Sequence, residues 1–229
     1  MLVVLASAHD ETAHTVTKAW ALAGAALCVP ADLSTPGWCH RVGAPEAARA
    51  VIGGRIIPAA EITGVLTRLW HVPATELAHI ALSDRPYVAA EMTAFLTAFL
   101  TDLPGVVLNK PAASTLSGPG WRRERWVREA ARAGIPVVSV QRILRVGESA
   151  AAAPVAAEVT VVGAQVFGTA DPDLIDWSSQ LARLGNVGLL GLRFAHHGHG
   201  FAFSEVNPWP ILTFPGVLDA IQQYLTSRS

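Results

Sequence analysis

The sequence predicts an α/β front part built on a parallel sheet, followed by an α+β back part. Three observations carry that reading. Residues 2–6 form a short apolar run, a helical pattern follows over about 11–25, and residues 27–30 are a second apolar run. A β–α–β opening of this kind implies parallel strands with both faces covered. Farther on, residues 159–162 and 165–167 flank Gly163-Ala164, and residues 189–194 and 200–205 flank a His/Gly turn. Short apolar runs around Gly-containing turns are hairpin signals. Helical patterns at 173–184 and 214–226 complete the back part.

The elements follow in order. The first helix sets Val16, Trp20, Ala23 and Leu27 near one face. Residues 38–42 and 55–58 read as a small hairpin region around a Gly/Pro/Ala loop, and residues 61–70 fit either a short helix or a strand entered from a turn. Residues 86–101 place Val88, Met92, Phe95, Leu96, Phe99 and Leu100 at helical spacing, with Ser83 or Asp84 as N-cap. Residues 106–108 are a strand ending at Asn109-Lys110-Pro111. A helix over 120–133 closes at Gly134 with Pro136 just beyond, and 137–140 is a further strand. Residues 147–154 have no period and read as a linker. The expected organisation is a domain over 1–102, a connecting strand-helix-strand and linker over 103–157, and a second domain over 158–229. There is no internal repeat.

Composition narrows the function. The 229 residues carry 17 Lys+Arg against 18 Asp+Glu. That balance supplies no field for a polyanion, so general nucleic-acid binding loses support. With 15% charged and 51% hydrophobic residues, the chain buries a core rather than staying disordered. The longest apolar stretch, residues 19–29, falls short of the roughly 20 that a membrane span needs, and the N-terminus lacks the basic flank of a signal peptide. The expectation is a cytoplasmic protein with Cys28 and Cys39 as free thiols.

The strongest local feature is Phe201-Ala202-Phe203-Ser204-Glu205-Val206-Asn207-Pro208. Phe201 and Phe203 are buried partners of an alternating strand. Glu205 and Asn207, two residues apart, share a face at its end. A carboxylate and an amide oxygen form a hard oxygen pair suited to Mg²⁺ and phosphate oxygens; the same residues also suit a plain strand end with an Asn-Pro turn. This passage, with the hairpin before it and a helix after it, resembles the end of the ATP-grasp fold, nearest to the glutathione synthetase and RimK-type carboxylate–amine ligases. Val159-Thr160-Val161-Val162-Gly163-Ala164-Gln165-Val166-Phe167 resembles that family's central hairpin. Glu61 to Arg68 resembles the segment before the ligase module in peptide-modifying members. Val107-Leu108-Asn109-Lys110-Pro111, with the helix ending Ala-Gly-Ile-Pro-Val, resembles another family passage. The resemblance spans nearly the whole chain. It implies a Rossmann-like first domain, ATP and Mg²⁺ as cofactors, C–N bond formation, and an amino-acid or peptide substrate.

The departures are informative. The family clamps its nucleotide with a lysine-bearing subdomain and lid, whereas the 18 residues 141–158 contain no lysine and are too short for such a subdomain. Arg123 stands where relatives usually carry Lys. The strand expected to supply the first acidic metal ligand offers Leu192 or Arg193, and Glu158 replaces a usual Arg. The remnant of the nucleotide and metal site is Glu205, Asn207, Arg193 and Arg123, with Arg193 as countercharge to Glu205. The expected function is therefore a degenerate, truncated ATP-grasp-like protein. It would act as a non-catalytic or accessory binding subunit in a biosynthetic or peptide-modifying pathway, with weak or absent ATP and Mg²⁺ binding. The alternative is a carboxylate–amine ligase with an open nucleotide site around Glu205, Asn207 and the Arg123 helix.

Other clusters offer further chemistry. His196-His197-Gly198-His199 is a flexible turn or a metal site, with His197, His199 and Glu205 as ligands. His9-Asp10 follows the first strand, where open α/β folds place ligand clefts; Asp10 also suits a helix cap. Cys39-His40 resembles a nucleophile–base pair only in composition. Ser117-Gly118-Pro119-Gly120 lacks the residues of a P-loop. Arg125, Arg128 and Arg132 form one stripe, for an acidic partner or for solvent. Seven tryptophans exceed what a small core needs. Together with an uncovered sheet face they suggest a homodimer, or a hetero-oligomer with a full ATP-grasp enzyme.

Overall fold

The computed structural model describes residues 1–140, 154–207 and 209–227. All but the last residue of the 147–154 linker lies outside them. In chain order the front runs β1 (Leu2–Ala6), α1 (Glu11–Ala19), β2 (Ala26–Cys28), β3 (Arg49–Ile52), β4 (Arg55–Pro58), β5 (Gly64–Arg68), α2 (Arg85–Asp102) and β6 (Val106–Leu108). The back runs α3 (Arg123–Arg132), β7 (Ala157–Val162), β8 (Gln165–Phe167), α4 (Pro172–Gly185), β9 (Leu189–His197), β10 (Gly200–Asn207) and α5 (Val217–Thr226). No described helix is long and apolar enough to cross a membrane.

Contacts divide the chain into Met1–Gly120 with Ile221–Ser229, and Trp121–Ala220. This differs from the expected boundaries. β6 and the loop after it belong with the front unit and α3 with the back, so the connecting segment is no separate body.

In the front unit, β2-β1-β5-β6 is a parallel sheet. Every residue of β1 is buried, as expected for a strand covered on both faces. Residues 61–70 resolve as strand β5, because β1 and β6 pair with it on either side. α1 starts where the Asp10 carboxylate accepts from the Ala13 N–H at 2.9 Å, and it stops at Ala19, short of the expected residue 25. The small hairpin is β3–β4, not residues 38–42 with 55–58. Gly53 and Gly54, at φ +56° and +74°, form the two-residue turn whose backbone L-residues resist, and such a turn pairs the strands directly beside it. Cys39 meets Arg49 only through a bridge. α2 packs Leu96, Phe99 and Leu100 into the same core as Leu5, Val65, Leu77 and Val107.

In the back unit, β10-β9-β7-β8 is an antiparallel sheet. One face carries Val159, Val161, Leu190, Leu192, Phe194 and Phe203, which pack with Trp126 and Ala130 of α3 and with Leu174 and Leu181 of α4. Residues 137–140 are not a strand. Val137 makes a single parallel bridge to Phe203 at the outer edge of β10. The Pro136 carbonyl accepts from the Phe203 N–H at 2.7 Å and the Val138 N–H donates to the Phe203 carbonyl at 2.8 Å; Pro136, with no N–H, cannot extend this ladder toward its own N-terminal side.

Candidate functional site

Side chains alternate across a strand, so register decides which residues meet. β7, β9 and β10 align Glu158, Arg193 and Glu205 in one row, and Thr160, Gly191 and Asn207 in a row two residues away. All six lie on the sheet face opposite the apolar core. Strict alternation along β10 would place Glu205 on the same face as the fully buried Phe203. A bulge between them separates the two: Phe203 pairs with Phe194, yet Glu205 pairs with Arg193, the very next residue of β9. Ser204 is the extra residue. Its carbonyl accepts from Arg123 Nε at 3.0 Å, so Arg123 satisfies a backbone group that the bulge frees.

Arg193 sits between two carboxylates. Its Nε donates to Glu158 Oε1, and its Nη1 donates to Glu205 Oε1 at 2.8 Å. All three side chains are roughly one-third exposed. The bond to Glu158 first, and that to Glu205 second, raise the guanidinium pKa further above its ordinary value, against a small opposing effect of burial. The Asn207 carboxamide oxygen accepts from the Trp209 N–H at 3.0 Å, the Asx geometry of a turn. Thr160 donates to the Ile211 carbonyl at 3.0 Å. A Cβ on Gly191 would meet Pro210 at 3.0 Å, so the segment after β10 folds back over this row.

The structure thus brings Glu205, Arg193 and Arg123 to one bulge and adds Glu158, whose pairing with Arg193 comes from the register of two strands 35 residues apart. These residues do not fit a Mg²⁺ ion. A hard dication wants free oxygen ligands. Here a fixed guanidinium occupies the place between the carboxylates, and Glu205 Oε1 and Asn207 Oδ1 already accept hydrogen bonds. What the row offers is a hydrogen-bonding surface of net charge −1.

The metal set His197, His199 and Glu205 is not assembled. His197 pairs with Gly200 across the two-residue turn Gly198-His199, whereas Glu205 pairs with Arg193 four residues back along β9, about 13 Å away at strand rise. His196 stacks on Phe201 at 5.6 Å. Among the described residues no group of three or more His, Cys, Asp or Glu side chains is placed to hold a metal. Asp10 is a structural residue as well. Besides capping α1 it accepts from Arg68 Nε at 2.7 Å and from Arg68 Nη2 at 3.4 Å, while His9 is exposed. His40 turns from Cys39 to Asp102, with Nε2 to Oδ2 at 2.9 Å, a pairing 62 residues apart that no local signal announces. Ser117 is buried and donates to the Leu69 carbonyl at 2.9 Å, so its loop is packing. Arg125 covers Trp121 at 3.9 Å, while Arg128 and Arg132 share Glu129.

No protein-family model matches the chain, and no curated protein matches it either. Solved structures do. The macrocyclase MdnC of Microcystis aeruginosa MRC, bound with precursor peptide MdnA, aligns with 98% of this chain and 99% of its own at 14% identity and TM-score 0.70. The ATP-grasp ligase PsnB, complexed with a minimal precursor, Mg and ADP, aligns over 99% and 98% at 15% identity and TM-score 0.68. A RimK domain ATP-grasp protein from Sphaerobacter thermophilus DSM 20745 aligns over 99% and 100% at 14% identity and TM-score 0.56. The chain is similar to these in fold: it has the α/β architecture of the ATP-grasp proteins.

Proposed function

We propose that this chain, which has the fold of the ATP-grasp ligases, is a non-catalytic or accessory binding subunit in a peptide-modifying pathway. The observation that carries the reading is Arg193 bonded to both Glu158 and Glu205. Phosphoryl transfer rests on positioning and on cations that neutralise developing charge. A guanidinium held between Glu158 and Glu205 occupies the place a metal would need. The chain also holds only two lysines, Lys18 and Lys110, both in the front unit, and 141–158 holds none. Among the fold neighbours, MdnC is bound with a precursor peptide and PsnB with a minimal precursor, Mg and ADP. A peptide or amino-acid ligand follows by analogy for this chain, with ATP and Mg²⁺ binding weak or absent, in the cytoplasm. It would act as a homodimer or beside a full ATP-grasp enzyme.

Calorimetric titration of the full chain with ATP in excess Mg²⁺ tests this. The expected result is no saturable heat at micromolar nucleotide. A micromolar dissociation constant overturns the reading and returns the ligase with an atypical nucleotide site.

A further inference from the structure

We propose that the front unit binds an aliphatic ammonium group in a groove along α2, with Asp102 as its counter-ion. This goes beyond the reading above and does not depend on it.

α2 is apolar on its outer side as well as its core side, an arrangement expected of a helix covered all round. Yet Ala90, Ala94 and Ala98 are exposed. The neighbouring threonines donate their hydroxyls to carbonyls four residues back: Thr93 to Ala89 at 2.7 Å, Thr97 to Thr93 at 2.8 Å and Thr101 to Thr97 at 2.6 Å. Their methyl groups are left to line the groove. The groove encloses about 930 Å³, with Val72 on its far wall, a size that suits a small ligand or a short stretch of peptide.

Its end is electrically distinctive. Asp102 is the last residue of α2, and the last helical turn holds no basic residue. A carboxylate there adds to the negative end of the helix dipole. Its one ion-pair partner among the described residues is His40, which takes Oδ2. Oδ1 makes no hydrogen bond among the described residues, and the Asp102 side chain is 51% exposed. The His40 side chain is only 9% exposed and is wedged against the rings of Phe95 and Phe99, so it holds the carboxylate in place. The groove lining includes no Lys or Arg; Arg41 lines only the separate 400 Å³ cavity on the other side of His40. Asp102 is the one acidic side chain of the groove lining, beside an apolar channel. One available oxygen suits the point-like donors of an ammonium, and it withholds the bidentate pairing that favours a guanidinium.

The ammonium has two potential sources, a free aliphatic amine or the N-terminus of an apolar peptide. Calorimetry on the full chain with n-hexylammonium, n-hexanol and hexanoate reads the head group; Leu-Leu-Leu amide and its N-acetylated form read the source. Hexylammonium is expected to bind at least tenfold tighter than hexanol or hexanoate. Asp102→Asn should weaken it at least tenfold, and Ala94→Phe, at an exposed position that leaves the core untouched, should abolish it. Binding of the free tripeptide with loss on acetylation assigns a peptide source, and binding of hexylammonium alone assigns a free amine. Equal binding of hexanol, unchanged binding in Ala94→Phe, or no binding by either amine overturns the proposal. If Asp102→Asn fails to fold, the Ala94→Phe result and the head-group series decide.

Discussion

A Cβ added to Gly185, the last residue of α4, would lie 2.3 Å from the indole of Trp126. Helix propensity alone favours Gly→Ala by roughly 0.5–1 kcal/mol. The clash with a buried, rigid ring outweighs it, and Gly185→Ala is expected to destabilise by ~1–3 kcal/mol in urea unfolding. Arg193→Met would leave Glu158 and Glu205 facing one another without their shared donor. Because the three side chains are partly exposed, solvent screens part of the loss, and a drop of ~1–2 kcal/mol is expected. Pairing Arg193→Met with Glu205→Gln should recover part of it, which a double-mutant cycle reads. The two thiols differ in the same way. Burial, reinforced by Asp32, pushes the Cys28 thiol far up, whereas Cys39 is half-buried. Cys28 therefore stays protonated and shielded at neutral pH. A thiol titration should find at most Cys39 reactive in the folded protein and both thiols reactive in denaturant.

Among the helices, caps separate what a sequence signal does from what it suggests. Asp171 accepts from the Asp173 and Leu174 N–H groups at 2.9 and 3.2 Å, so Asp171→Ala should cost about 1 kcal/mol. Asp84 precedes α2 in the same way but makes no side-chain cap bond, and Ser83 donates to its carboxylate instead. Asp84→Ala is expected to change stability by less than ~0.5 kcal/mol, measured by the same unfolding curves. Hairpins were legible where two turn residues sit between apolar runs, as at Gly163-Ala164. The same logic applies at Gly53-Gly54, where the turn pairs β4 with the adjacent β3 rather than with residues 38–42.

Across the whole chain, the tryptophan count proves a poor guide to assembly. Trp20 and Trp126 are buried, Trp38 packs edge-on to Phe95 and Phe99, and only Trp70 and Trp209 are as much as 37% exposed. Exposed Leu22, Leu82 and Tyr87 are the better reason to expect a homodimer. A two-fold pair burying at least ~1,000 Å² should give twice the 24.1 kDa chain mass by light scattering at tens of micromolar protein. A mass near that of one chain refutes it. The sequence by itself determined the parallel opening and the order of the helices and of the back-unit hairpins, because those depend on hydrophobic period and turn chemistry, which are local; the likeness in fold was carried by the resemblance of its short motifs. It also marked Glu205, Asn207, Arg193 and Arg123 as belonging together. Only the tertiary structure decided how those residues are placed. One extra residue at Ser204 changes the phase of β10, lifting Glu205 off the face that buries Phe203 and onto Arg193, while Arg123 takes the freed carbonyl. The same holds for Glu158 beside Arg193 and Asp102 beside His40. Such pairings depend on strand register and helix docking across 35 and 62 residues of chain, which no local pattern encodes.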